Sequence, residues 1–306
     1  MCLTEEKGQG AASRQHVAVM LDEVVGFVRA LNPLTIVDMT VGMGGHAAAL
    51  LRATNAHLIG IDRDAAALAA AAVNLAPFGS RVTLRQADFS GFEAVLDQCG
   101  VPCVGAIVAD LGMSSFALND ADRGFSFRLD GPLDMRMDRG QQLRAYDIVN
   151  EETEAELARI IHEYGEEHSS RRIARAIVEA RRRRPLETTG ELSGLVENVL
   201  RRNRRGGIHP ATRTFQALRI AVNHELESLD ALLDRGPARL RKGGRMIVLA
   251  YHSLEDRPVK QRFRELVRGG SFAAVTRKAL RPSAAESVEN PRARSARLRC
   301  IERVAQ

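Results

Sequence analysis

Tryptophan is absent and aromatic residues make up only 4% of the chain, so a broad base-stacking surface is ruled out and any nucleotide pocket has few rings to use. Cysteine is nearly as scarce. The thiols are Cys2, Cys99, Cys103 and Cys300; only Cys99 and Cys103 lie close, and without a second pair their spacing does not make a zinc site. Reduced thiols and no bound metal are the expectation. No apolar run approaches the roughly 18 to 20 residues needed to cross a bilayer, which argues against a membrane protein. Met1 to Gln15 carries Glu5 and Glu6 and lacks the apolar core of a secretory signal and the acid-poor character of a transit peptide. A flexible N-terminus over residues 1–15 and a cytoplasmic location follow as expectations.

What is present describes an ordinary globular protein, with 45% hydrophobic and 27% charged residues over 306 positions. That length holds one large α/β domain with an insertion, or two modest domains. The net charge is +6, and much of the excess sits in two runs, Arg181–Arg184 and Arg201–Arg205. A polyanionic partner and a merely solvated helix face explain such runs equally well.

Short β-branched runs alternate with Ala- and Leu-rich stretches in the first half, the pattern of a parallel sheet with crossover helices. Strands are expected at 35–38, 57–61, 81–85 and 104–109, with helices at about 45–53, 64–75 and 91–98. Residues 111–140 lose any period of 2 or 3.6, yet Phe116, Phe125, Phe127, Leu133, Met135 and Met137 need burial, so this long loop is ordered rather than disordered. Residues 141–205 read as an inserted, basic, helical subdomain with helices near 153–163, 168–183 and 189–202. Alternation resumes with a helix at about 211–234, a strand at 245–250, a helix near 256–267 and a last strand near 297–303. The fold class is α/β, a Rossmann-like doubly wound sheet formed by 16–140 and 206–306 around the insert.

Asp38-Met-Thr-Val-Gly42-Met-Gly44-Gly45-His46-Ala47 joins the first strand to the first helix, where glycines let a backbone approach a ligand at a helix N-terminus. Gly42, Gly44 and Ala47 also satisfy the dinucleotide fingerprint, and Asp62 follows about twenty residues on, where an acid binds ribose hydroxyls. The motif alone does not separate NAD from S-adenosylmethionine. Charge favours the second: a pyrophosphate at this loop meets the Asp38 carboxylate, whereas S-adenosylmethionine brings an ammonium and a sulfonium. Asp88-Phe89, after the third strand, adds a polar group and a ring at the height of an adenine.

Asp110-Leu-Gly-Met-Ser-Ser115, then Asp122-Arg-Gly-Phe-Ser-Phe127 and Asp130-Gly-Pro-Leu-Asp-Met-Arg-Met-Asp138, make the pattern specific. Together with His16 to Glu23, Tyr164-Gly-Glu-Glu167, His209-Pro-Ala-Thr-Arg-Thr-Phe-Gln-Ala-Leu-Arg219, His252-Ser-Leu-Glu-Asp-Arg257 and Asn290 to Arg299, the sequence resembles the bacterial rRNA small-subunit methyltransferase H family, also called MraW. The resemblance implies a class I S-adenosylmethionine-dependent methyltransferase that modifies the exocyclic N4 of a cytidine in the decoding region of 16S rRNA, within the small subunit or an assembly intermediate. It places cofactor contacts on Gly44, Gly45, His46, Asp62, Phe89 and Asp110. The chain departs from the family pattern at Met39, Val41 and Met43, at Phe116 and Ala117 where the family often has Pro-Gln, and at Tyr251 where Phe is usual.

The cytosine N4 amine is a poor nucleophile because its lone pair is delocalised into the ring, so it must be oriented in line with the methyl donor. Asp110 ends the fourth strand at the switch point and is the candidate acceptor of an N4–H. Ser114 and Ser115 are candidates to hold the base edge, with a turn hydroxyl as the equal alternative. His252 is read as lining the pocket and is a further candidate; no nucleophile elbow accompanies it and Ser253. Phe125 or Phe127 stacks on an unstacked target base or packs in a core. Arg213, Arg219, Arg292, Arg294 and Arg297 are candidate phosphate contacts, with salt bridging as the equal alternative. An NAD-dependent oxidoreductase and a non-catalytic RNA-binding module are the competing functions, and both monomer and homodimer remain open.

Overall fold

The computed structural model describes residues 18–305 except 114 and 201–208, and the side chains of 115 and 116 fall outside that description. The run Arg201–Arg205 and His16 therefore lie outside the described residues. In chain order the first half contains α1 (Leu21–Arg29), β1 (Thr35–Asp38), α2 (Gly45–Ala53), β2 (His57–Asp62), α3 (Ala65–Leu75), β3 (Val82–Gln86), α4 (Phe92–Gln98), β4 (Val104–Asp110) and the short α5 (Ser115–Asn119). The helices α6 (Ala145–Glu151), α7 (Glu154–Glu163), α8 (Ser170–Arg181) and α9 (Thr189–Leu200) follow. Then come α10 (Thr212–Asn223), α11 (Glu225–Arg235), β5 (Leu240–Ala250), α12 (Ser253–Arg268), β6 (Phe272–Ala274), α13 (Ala284–Glu289) and β7 (Arg297–Arg303).

The strands form one sheet in the order β3-β2-β1-β4-β5-β7-β6. β1 to β5 pair in parallel, and β7 runs antiparallel to both β5 and β6. This is the class I methyltransferase arrangement, and its order reverses between β1 and β4, which opens a crevice at the carboxyl ends of those two strands. Alternate residues of each strand feed opposite layers, as strand geometry requires. Ile36, Leu58 and Val108 pack on α1, α2 and α3, whereas Val37, Ile59 and Ile107 pack on α4, α11 and α12. Each such Ile or Leu, taken out of water, contributes about 1.5–3 kcal/mol. The Ala-rich α3 starts cleanly because Asp64 caps it, its carboxylate accepting the Ala66 N–H at 2.9 Å.

A third core joins α6 to α10 and draws in residues on both sides of 141–205, including Phe125, Leu133 and Met135 from the long loop and Phe215 and Leu218 from α10. The loop is thus held by burial of its apolar residues, as expected. Other readings need correction. The single helix expected at about 211–234 is two, because His224 takes a left-handed conformation (φ 50°) between α10 and α11. β5 begins at Leu240 rather than 245, with a register irregularity opposite Val104/Ala106, and α12 begins at Ser253. α1, α5, β6 and α13 were not anticipated from periodicity, and α6 falls in the stretch read as helical without having been assigned as a separate helix.

Candidate active site at the carboxyl edge of the sheet

The glycine loop between β1 and α2 is pinned to β2. Val41 N–H donates to Ile61 O at 2.9 Å and Gly42 N–H to Asp62 Oδ2 at 2.8 Å. Gly42 (φ 53°) and Gly44 (φ 87°) both occupy the left-handed region that favours glycine. Gly44 turns inward: its N–H closes on Val41 O at 2.7 Å, and a Cβ there would lie 3.1 Å from Leu75 Cγ. Its role is the tight turn and the packing of α3, while Gly42, Met43, Gly45 and His46 face the cleft.

The cleft encloses about 890 Å3 and joins the glycine loop and Asp62 to Phe89, Asp110, Tyr251 and His252. That volume lies near the upper end of the roughly 300–1,000 Å3 typical of small-molecule sites, so a cofactor and part of a second reactant fit. Asp110 sits at its centre. Its backbone N–H donates to Thr40 Oγ1 (2.7 Å), which ties β4 to the glycine loop. Its Oδ1 accepts from Tyr251 OH (2.7 Å) and Gly112 N–H (3.1 Å), leaving Oδ2 as the freer oxygen. Burial pushes the Tyr251 phenol well above its usual range, and the neighbouring Asp110 charge adds to the rise, so the hydroxyl stays a donor.

His46 Nε2 lies 2.9 Å from Val19 O, so it must donate there, and the neutral ring then presents a lone pair at Nδ1. That Nδ1 is 3.7 Å from Asp110 Oδ2. Asp110 Oδ2 and His46 Nδ1 thus face one another across the cleft wall. Asp38, by contrast, does not face the cleft: it is buried, its Oδ1 takes the Thr40 N–H (3.1 Å), and burial pushes its carboxyl up to about 6. The carboxylates that line the cleft are therefore those of Asp62 and Asp110 rather than that of Asp38. Asp62 also takes the Asp64 N–H on Oδ1 (2.9 Å), and burial raises its pKa.

Several residues that hold this site were not found from the sequence. Arg63, between two acids, pairs with Asp88, donates to Asn223 O (2.5 Å) and lies 5.7 Å from the Phe89 ring centre. Asp88, which also accepts the Ser90 N–H, is therefore committed to the protein, and Phe89 is the part of that pair that faces the cleft. Asn223 takes the Met137 N–H and donates to Met135 O, both at 2.8 Å, clamping the long loop. Buried Arg123 fixes the same loop to Asp64 (2.8 Å). Asp62, Arg63 and Asp64 were separate letters in the sequence; in space they join the glycine loop, the α10–α11 junction and the 111–140 segment.

Of the remaining candidates, Ser114 and the Ser115 side chain lie outside the described residues. His252 lines the cleft, with Nε2 2.9 Å from Glu255 Oε1 and its Nδ1 buried without a partner among the described residues. Phe125 is buried in the third core, and Phe127 stacks on His209 with ring centres 4.3 Å apart, so both rings are used in packing. Arg213 donates to Glu166 O (3.1 Å), Arg219 makes a two-pronged pair with Glu225 (2.8 Å), Arg294 donates to Ser287 O (3.2 Å), and Arg297 pairs with Asp256 (2.9 Å). Arg292 lines the cleft. Among the described residues no cluster suits a metal ion, and no helix is long and apolar enough to cross a membrane.

Residues 13–304 match the family described as the MraW methylase family. The chain belongs to the MraW methylase family. It is 48% identical to the ribosomal RNA small subunit methyltransferase H of Methylobacterium sp. (strain 4-46), over 94% of this chain and 90% of that protein. It is 48% identical to the Cutibacterium acnes protein of the same name, over 88% of this chain and 85% of that one. The Symbiobacterium thermophilum protein of that name is 46% identical, over 94% and 96%. The protein is an S-adenosylmethionine-dependent methyltransferase, and its residues fit that cofactor. The Gly42 and Gly44 amides are already consumed within the protein, which disfavours a pyrophosphate, while the Asp110 carboxylate lines the cleft and suits a cationic ligand.

Proposed function

We propose that this cleft holds S-adenosylmethionine along the glycine loop and methylates the exocyclic N4 of a cytidine in small-subunit rRNA. The observation that carries this reading is Asp110: its Oδ1 is fixed by two donors, and its Oδ2 looks into a cleft shared with the glycine loop. The cofactor supplies an electrophilic methyl on a sulfonium. Asp62 bonds the ribose hydroxyls with the lone pairs left by Gly42 and Asp64, Phe89 borders the adenine, and Gly45 and His46 border the methionine end.

Asp110 would accept, on Oδ2, hydrogen bonds from a cationic group of the cofactor and from the N4–H of the target. Holding that proton favours the pyramidal amine, whose lone pair then lies on nitrogen rather than in the ring. During methyl transfer the Asp110 carboxylate would stabilise the positive charge developing at N4 and would take one N4 proton and pass it to solvent. His252 and, outside the described residues, Ser114 and Ser115 are the groups to hold the base edge. The fixed Asp110 favours this over a pure RNA-binding module, which has no use for a carboxylate aimed into a cofactor cleft.

The test is incubation of the protein with isotope-labelled S-adenosylmethionine and unmodified small-subunit particles or their rRNA, followed by nucleoside mass spectrometry. Labelled N4-methylcytidine is the expected product. Label on any other atom, or none, contradicts the reading. Supplying mature particles and bare rRNA separately also identifies which form is the substrate.

A further inference from the structure

Four arginines line the cleft, and the structure divides them into two kinds. Arg63 and Arg219 are committed to the protein, through Asp88 and Glu225 respectively. Arg128 and Arg292 are not. Among the described residues each makes a hydrogen bond only through its backbone N–H, Arg128 to Ser126 Oγ (3.1 Å) and Arg292 to Asn290 Oδ1 (3.3 Å). Neither guanidinium has a carboxylate partner among the described residues. Burial lowers the Arg292 pKa. A half-buried cation left unpaired in a cleft wall costs stability that a carboxylate would have returned. Its persistence points to an anion that arrives with a ligand.

The two come from different packed layers. Arg128 follows Phe127, whose ring is fixed against His209 and Phe215 beside the inserted helices. Arg292 precedes Ala293, which is buried in the layer of α1 and α2. The cleft is therefore bordered by one guanidinium from the insert side and one from the sheet side, neither paired with a carboxylate among the described residues. A guanidinium presents paired N–H donors that match a phosphate, and phosphate contacts fix the position of a nucleic acid without reading its bases. A cytidine unstacked into the cleft leaves its flanking phosphates at the rim.

We propose that Arg128 and Arg292 form a two-point phosphate clamp on the RNA backbone flanking the target cytidine. The clamp rests on the RNA-methyltransferase reading of the cleft. It separates Arg292 from Arg213, Arg219, Arg294 and Arg297, whose guanidinium groups are engaged within the protein, and it adds Arg128, which charge counting along the sequence did not single out. The same donors suit the carboxylate of the bound cofactor, so the test has an arm for each anion.

Binding of a small-subunit rRNA fragment is measured from low to moderate salt for the parent, Arg128→Gln, Arg292→Gln and the double variant, with S-adenosylhomocysteine saturating. Cofactor binding is measured separately by calorimetry without RNA. Each single variant should reduce the slope of log affinity against log salt by about one and weaken binding at least about fivefold at 0.1 M salt, and the double variant should reduce the slope by about two. Cofactor affinity should remain at the parental value. Parental salt slopes in the variants, in a protein that binds and methylates the RNA, overturn the clamp and leave the functional reading standing. Loss of cofactor affinity with unchanged salt slopes overturns it in favour of the cofactor carboxylate. A parent that neither binds nor methylates the RNA brings down both.

Discussion

Arg123 offers a quantitative test of how the long loop is held over the cleft. Its guanidinium is only 3% exposed, pairs with Asp64 Oδ2 at 2.8 Å and donates to Arg136 O and Met137 O at 3.0 Å. Arg123→Ala leaves Asp64 without its cation and two loop carbonyls without a donor. Breaking a buried pair from one side costs about 3–5 kcal/mol. The lower end applies, because Asp64 keeps the Ala66 N–H and because Arg123 Nε is already unpartnered among the described residues. About 3 kcal/mol corresponds to a Tm lower by roughly 5 °C for a chain of 306 residues. Urea unfolding at pH 7 measures it. Combining the change with Asp64→Asn removes the orphaned charge, so the double variant should be less destabilised than the sum of the singles by at least about 1 kcal/mol. A loss under about 0.5 kcal/mol, or strict additivity, refutes the argument. Because Arg128 and Met137 of the same segment line the cleft, Arg123→Ala should also raise the RNA KM more than the cofactor Kd.

Three further outcomes are expected. Asp62→Ala should weaken S-adenosylmethionine binding by about 1–3 kcal/mol by calorimetry, and unchanged affinity in a folded variant removes Asp62 from the site. Asp38 carries a folded-state pKa of about 6 against an ordinary 3.8, so the parent takes up this proton on folding and loses stability as pH rises from about 4 to 6. Asp38→Asn should therefore gain on the parent across that window by up to about 3 kcal/mol in urea unfolding, and a pH-independent difference contradicts this. Tyr251→Phe removes one of the two donors on Asp110 Oδ1 and should slow methyl transfer about 2- to 10-fold with cofactor affinity retained; an equal loss of both means that the phenol only supports the fold.

The strands read at 35–38, 57–61 and 104–109 were legible because each is a short, mostly buried run that ends at an acid, and the cofactor loop because its glycines sit on a strand-to-helix turn. His224 was not legible as a helix break, since the apolar period runs on through it; Asn223 beside it bonds the long loop, and His224 alone takes the left-handed turn. β5 was read short because Arg241, Lys242, Gly243 and Gly244 look like a turn, yet they lie within a strand that pairs with β4. The three residues of β6 are too few to carry a period. In the site, Asp62 and Asp110 could be placed by their strands. Arg63 and Tyr251 could not, because their partners Asn223 and Asp110 are 160 and 141 positions away. The arginines show the same limit: only the fold separates Arg292 from Arg219 and Arg297, which the sequence leaves equal.

Asp110→Asn probes the chemistry most directly, because the amide keeps an Oδ1 for Tyr251 and Gly112 while removing the charge that faces the cleft. Single-turnover formation of N4-methylcytidine is followed at saturating S-adenosylmethionine, so that weakened cofactor binding does not register as lost chemistry. The rate should fall at least about a hundredfold while RNA affinity stays within a few-fold of the parent. A parental rate under saturation would mean that Asp110 only holds the cofactor and that the N4 amine is oriented by other groups.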